Sequence, residues 1–123
     1  IALRLPPGFP DETFRQAARA AAGTAAVTFR GYEPAYRADK NNALVRSLLA
    51  AIRGQGGRPR FTVKTGTSDM NVVGPVWQCP IVAYGPGDSD LDHTPDEHIE
   101  LEEYRRGVAV LTAALSCLAK DLS

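Results

Sequence analysis

The chain has 123 residues, 44% of them apolar, and its 14 basic side chains are balanced by 14 acidic ones. That length suits one ordinary domain or two small pieces, and zero net charge removes the whole-molecule field that would draw in nucleic acid or a membrane surface. No apolar run approaches the roughly 20 residues a membrane span needs.

Ile1 to Leu5 reads as a short strand, closed by Pro6-Pro7-Gly8. The opening has neither an initiator Met nor the apolar core of a secretory leader, as expected of a piece cut from a longer protein. Phe9 to about Ala22 reads as a helix, with Asp11 and Glu12 where the helix dipole favours acids and Gly23 to stop it. Ala25 to Tyr32 alternates like a strand, Val27 and Phe29 on one face, Thr28 and Arg30 on the other. This strand–helix–strand is too small to bury a core alone and calls for partner strands outside the chain.

Residues 33–37 read as a connector. Asn42 to Ile52 is an amphipathic helix on Leu44, Val45, Leu48, Leu49 and Ile52. Arg60 to Lys64 reads as a strand that runs into the small polar loop Thr65-Gly66-Thr67-Ser68-Asp69. Pro80 to Tyr84 is a near-continuous apolar strand, as in a sheet covered on both faces. Leu101 to about Leu118 is a helix with Val108, Leu111, Leu115 and Leu118 on one stripe. The alternation argues for an α/β fold. Cys79 and Cys117 lack metal or redox spacing and read as buried free thiols in a reducing cytoplasm.

Eight of the fourteen acids fall between Asp88 and Glu103, just after the corner Gly85-Pro86-Gly87. Within that run, His93 is a candidate metal ligand: imidazole is the commonest metal-binding side chain, and the mouth of an open α/β sheet is where ligands bind. The bland alternative is a solvated acidic loop with an incidental His. Asp88-x-Asp90-x-Asp92 resembles the start of a calcium loop, but His93 stands where the required Gly would be and Ile99 where the closing Glu would be. The hydroxyls and glycine of residues 65–69 can gather around an anion or form a plain turn. Arg4 can fork onto a carboxylate or simply lie on the surface.

Three segments, taken in order, carry a resemblance: Ala2-Leu3-Arg4-Leu5-Pro6-Pro7-Gly8-Phe9, Gly66-Thr67-Ser68-Asp69-Met70-Asn71, and Tyr84 through Glu97 with Gly85-Pro86-Gly87-Asp88-Ser89 ahead of Asp92-His93-Thr94. Together they resemble the closing part of the dizinc aminoacylase and carboxypeptidase family, which includes acetylornithine deacetylase and succinyl-diaminopimelate desuccinylase. They are most similar to the branch that frees lysine or ornithine from the terminal glutamate of an amino-group carrier protein. The resemblance implies a zinc-exopeptidase-like α/β sheet domain interrupted by an α+β lid that also dimerises. Residues 1–32 would close the lid and residues 33–123 would be the last part of the catalytic domain. It implies two zinc ions per full-length subunit, with cobalt as a possible substitute, and a cytoplasmic homodimer acting on the carrier protein or on a small N-acyl amino acid.

Residue by residue, the resemblance makes His93 the last zinc ligand and Glu97 its support. Arg4 becomes the lid clamp on the substrate carboxylate. Gly66, Thr67 and Ser68 become the loop lining the substrate pocket, and Gly87 the glycine corner beside the scissile bond. The other metal ligands and the general-base Glu of the family have no counterpart here, so the isolated piece is expected to be inactive. The rival from another class is a non-catalytic dimerisation module.

Overall fold

Helices form where the chain can close its hydrogen bonds locally. The computed structural model describes residues 2–64 and 66–121; Ile1 and Thr65, assigned above to the first strand and to the polar loop, lie outside the described residues. Four helices are present among them: α1 (Asp11–Ala21), α2 (Ala43–Gly54), α3 (Asp69–Trp77) and α4 (Leu101–Asp121). No helix is long and apolar enough to cross a membrane. The chain divides into two compact units, Ile1–Arg37 with Lys64–Gln78, and Ala38–Val63 with Cys79–Ser123.

In the first unit α1 starts on Asp11 and Glu12 and ends before Gly23, whose φ of 61° turns the chain away. Arg15 is held by Asp11 at 3.5 Å and lies over the rings of Phe29, at 5.1 Å, and Tyr32, at 4.9 Å. These contacts seat residues 29–32 on α1 by cation–π attraction. Phe9 and Phe14 add an edge-to-face pair at 5.9 Å. Among the described residues of this unit Gly74 alone is buried.

Helix α3 is not anticipated by periodicity, since its nine residues include Gly74 and Pro75. Its start is chemical instead. The Asn71 Oδ1 accepts the Ser68 backbone N–H at 2.9 Å, and the Asn71 amide donates to the Pro34 carbonyl at 2.9 Å. One side chain thus caps the helix and ties residue 34 to it. A methyl group at Gly74 would lie 2.5 Å from the Tyr36 ring, so only glycine admits that contact. Pro75 lacks the N–H that would bond the Asn71 carbonyl, so this short helix forgoes one bond of its ladder.

The second unit is built on α2 and α4. Asn42 caps α2 by accepting the Val45 N–H at 3.0 Å. Leu48 and Ala51 of α2 form one cluster with Val110 and Ala114 of α4, flanked by Ile52 and Tyr84. The helical reading of residues 42–52 is matched, but the stripe on α4 is corrected. Val108, Leu111 and Leu115 are exposed, Leu115 by 62%, whereas Gly107, Val110 and Ala114 face the core and Leu118 is half-buried. The seam selects small side chains because they let two backbones approach closely.

The expected strands are a second departure. Residues 2–5, 25–32, 60–64 and 80–84 are non-helical, yet no β-strand occurs among the described residues. A strand needs a neighbour about 4.8 Å away to take its backbone hydrogen bonds, and these segments have the composition of strands without that neighbour. No sheet of the expected α/β architecture is formed among the described residues. Cys79 and Cys117 are exposed free thiols, not the buried ones expected. Both positions fall outside the narrow α2–α4 seam.

Two substitutions test this packing. Leu48→Ala should cost about 2–5 kcal/mol in urea unfolding, whereas Leu115→Ala should stay within about 0.5 kcal/mol. Asn71→Ala should cost about 1–2 kcal/mol by the same measurement, because it removes the acceptor for Ser68 and the donor for Pro34 together. Asn71→Asp should fall between that variant and wild type, as it keeps the cap and loses the donor.

Candidate functional site

The expected site residues are divided between the two units. Arg4, Gly66, Thr67 and Ser68 belong to the first; Gly87, His93 and Glu97 belong to the second.

Within the first unit the structure brings Arg4 and Gly66 together. A Cβ placed on Gly66 would sit 3.5 Å from the Arg4 Nη1, so the guanidinium lies over the glycine in ordinary contact. Arg4 is exposed, and so are Thr67 and Ser68. Ser68 is the N-cap of α3, where its own N–H is committed to Asn71. The polar loop is thus the lead into a helix, an arrangement its sequence alone left open between anion cradle and plain turn.

Within the second unit the acidic run is a string of overlapping turns. The Pro86 ring rests against Gly107 of α4, with 3.5 Å between Pro86 Cδ and the position of a Cβ on Gly107. Gly87 follows with φ 100°, a conformation that L side chains rarely adopt. Asp88 Oδ1 accepts the Asp90 N–H at 3.0 Å, and the Asp88 carbonyl accepts the Leu91 N–H at 3.1 Å. The Leu91 carbonyl takes two bonds, from the Thr94 N–H at 3.0 Å and the Thr94 hydroxyl at 2.7 Å. The Thr94 carbonyl accepts the Glu97 N–H at 3.2 Å. His93 sits at the crest of these turns, exposed, with φ 66°. Its backbone N–H donates to Glu97 Oε2 at 2.9 Å.

Glu97 therefore meets the main chain of His93. Sequence reasoning paired these two residues but did not identify the atom that joins them, and it missed Thr94. The signal available for Thr94 was a hydroxyl three residues after Leu91 in a run of turn formers.

The other imidazole, His98, is turned to its own segment: Nδ1 lies 2.6 Å from the Asp96 carbonyl and Nε2 lies 3.8 Å from Glu100. His93 fits a metal as one nitrogen donor. A catalytic zinc takes about three protein ligands and an open position, and no group of three or more His, Cys, Asp or Glu able to hold a metal occurs among the described residues. These residues alone do not fit a complete metal centre. The calcium reading fails on the same count.

The chain is 58% identical over 120 residues to a LysW-lysine hydrolase of Deinococcus radiodurans, an alignment covering 96% of this chain and 33% of that protein. It is 40% identical over 82 residues to LysW-lysine/LysW-ornithine hydrolases of Saccharolobus solfataricus and Saccharolobus islandicus, covering 67% of this chain and 23% of each. The chain spans about a third or less of the length of these relatives. Residues 6–116 match the peptidase family M20/M25/M40, and the chain belongs to that family.

Proposed function

We propose that the protein carrying this segment is a metal-dependent amide hydrolase that releases lysine or ornithine from an amino-group carrier protein in amino-acid biosynthesis. The observation that carries this reading is the 58% identity, over nearly the whole chain, to a LysW-lysine hydrolase. In this reading residues 1–32 close a lid and residues 33–123 end the catalytic domain.

The roles divide between the two units. His93, raised on a braced loop and exposed, offers one imidazole nitrogen to a metal whose other ligands lie elsewhere in the full-length protein. A bound zinc pair supplies a water nucleophile at neutral pH; cobalt would serve in its place. Glu97 supports His93. Arg4 presents a planar donor fork suited to a substrate carboxylate, and Gly66 leaves that fork room. Thr67 and Ser68 line the approach to it, and Gly87 gives backbone access beside the reacting amide. The enzyme would work as a cytoplasmic homodimer with two zinc ions per subunit.

Substrate class is decided by turnover of carrier-protein-linked lysine or ornithine. The full-length protein should hydrolyse it in preference to free N-acetylornithine or N-succinyl-diaminopimelate. The reverse order would make it a small-molecule deacylase, and no turnover with dimerisation intact would make it an interaction module.

Metal analysis tests the site. His93→Ala should lose about one zinc per subunit and at least roughly a hundredfold in kcat, and normal zinc content in that variant would remove His93 from the ligand set. Arg4→Ala should raise KM about tenfold or more with zinc retained, and Arg4→Lys should restore only part of that loss because a point charge cannot reproduce a two-pronged contact.

A further inference from the structure

We infer that Glu97 is a positioning residue that aims His93 through the backbone, with Thr94 as its co-worker. The inference rests on the reading of His93 as a metal donor and adds how that donor is held.

Residue 93 lies in the left-handed region, φ 66°, which a side chain other than glycine enters at a cost. Such a conformation persists when its surroundings over-determine it. Here they do so from both sides. Before it, Thr94 grips the Leu91 carbonyl with both its N–H and its hydroxyl, which closes the turn spanning residue 93. After it, the Glu97 carboxylate folds back to accept the His93 N–H at 2.9 Å, while the Glu97 N–H is held by the Thr94 carbonyl. Carboxylate and backbone thus close a small ring around residues 93–97.

The direction of the Cα–Cβ bond follows from φ and ψ, so fixing the main chain at residue 93 fixes where the imidazole leaves the loop. A rotation of that residue toward the ordinary right-handed region would swing the ring away. The contact is an acceptor contact to a main-chain N–H, strengthened by the negative charge. It asks of position 97 an oxygen at the right reach, and glutamine offers one as well.

That last point separates this role from a carboxylate acting on the imidazole itself. In the full-length protein, backbone amide exchange at His93 should accelerate about tenfold in Glu97→Ala and remain near wild type in Glu97→Gln. In the same pair, kcat should fall roughly tenfold to a hundredfold for Glu97→Ala and recover most of that loss for Glu97→Gln, with KM held within about twofold in both. Thr94→Ala should also accelerate exchange at His93, and Thr94→Ser should not, which supplies the test should Glu97→Ala fail to fold. Unchanged exchange at His93 in Glu97→Ala overturns the inference, and so does a Glu97→Gln variant as impaired as Glu97→Ala. If instead His93→Ala keeps its zinc and activity, the functional reading falls, while the exchange measurement still reports on the contact from Glu97 to the backbone.

Discussion

The close approach of α2 and α4 is the constraint on which the second unit depends. Leu48 and Ala51 meet Val110, which is 1% exposed, and Ala114 across a seam lined by small residues. The consequences reach the candidate site directly. Tyr84 packs at the edge of this cluster, and two residues later the Pro86 ring lies on Gly107 of α4. The chain therefore enters the His93 loop from a point fixed by the core. A side chain larger than that of alanine at 107 would push against Pro86, and the disturbance would pass into the turn at Gly87. Packing at the seam and aim at the loop are thus one continuous piece of structure.

The helices were largely legible in the sequence because their hydrogen bonds are local. Residues 42–52 carried a periodic face, and α2 is found there, with an Asn42 cap that periodicity does not report. On α4 periodicity misled, for a physical reason. The helix has a stripe of large apolar residues, Leu101, Tyr104, Val108, Leu111 and Leu115, and a separate line of small ones, Gly107, Val110 and Ala114. Hydropathy weights the large stripe, whereas close helix packing requires the small one. The strands could not be read to the same depth. Alternation shows which residues favour extended backbone, but pairing is a property of two segments, and the described residues contain no pair. α3 was invisible to periodicity and visible only in the spacing of Ser68 and Asn71.

The site was legible to the extent that its chemistry lies in consecutive residues. A glycine corner, a run of turn formers and one His can be read as a loop that presents an imidazole, and the structure gives such a loop with His93 exposed at its crest. What could not be read was the wiring. The family resemblance makes Glu97 the support of His93, but the bond is one that the His93 main-chain N–H donates to the carboxylate. Asp88, which looked like a possible cation ligand, uses one of its oxygens to close the turn by accepting the Asp90 N–H. In both cases the backbone competes with ligands for the same oxygen atoms, and in tight turns the backbone is nearer.

The two units are held by different forces, and that difference bears on the roles assigned to them. The first has no buried apolar side chain among its described residues; stacking of Arg15 on Phe29 and Tyr32, together with the Asn71 contacts, does the work. Contacts of that kind are individually weak and partly screened by solvent, so local opening should cost less there than around the α2–α4 cluster. Arg4 and the residues 66–68 sit on this less consolidated unit, and His93 sits on the one with a core. A metal donor must keep its direction to within a narrow range, which favours a loop braced by turns and anchored on packed helices. A residue that takes hold of a substrate carboxylate gains from freedom to adjust as the substrate arrives. On the proposed roles, the imidazole falls on the firm unit and the guanidinium on the softer one, as those two tasks would ask.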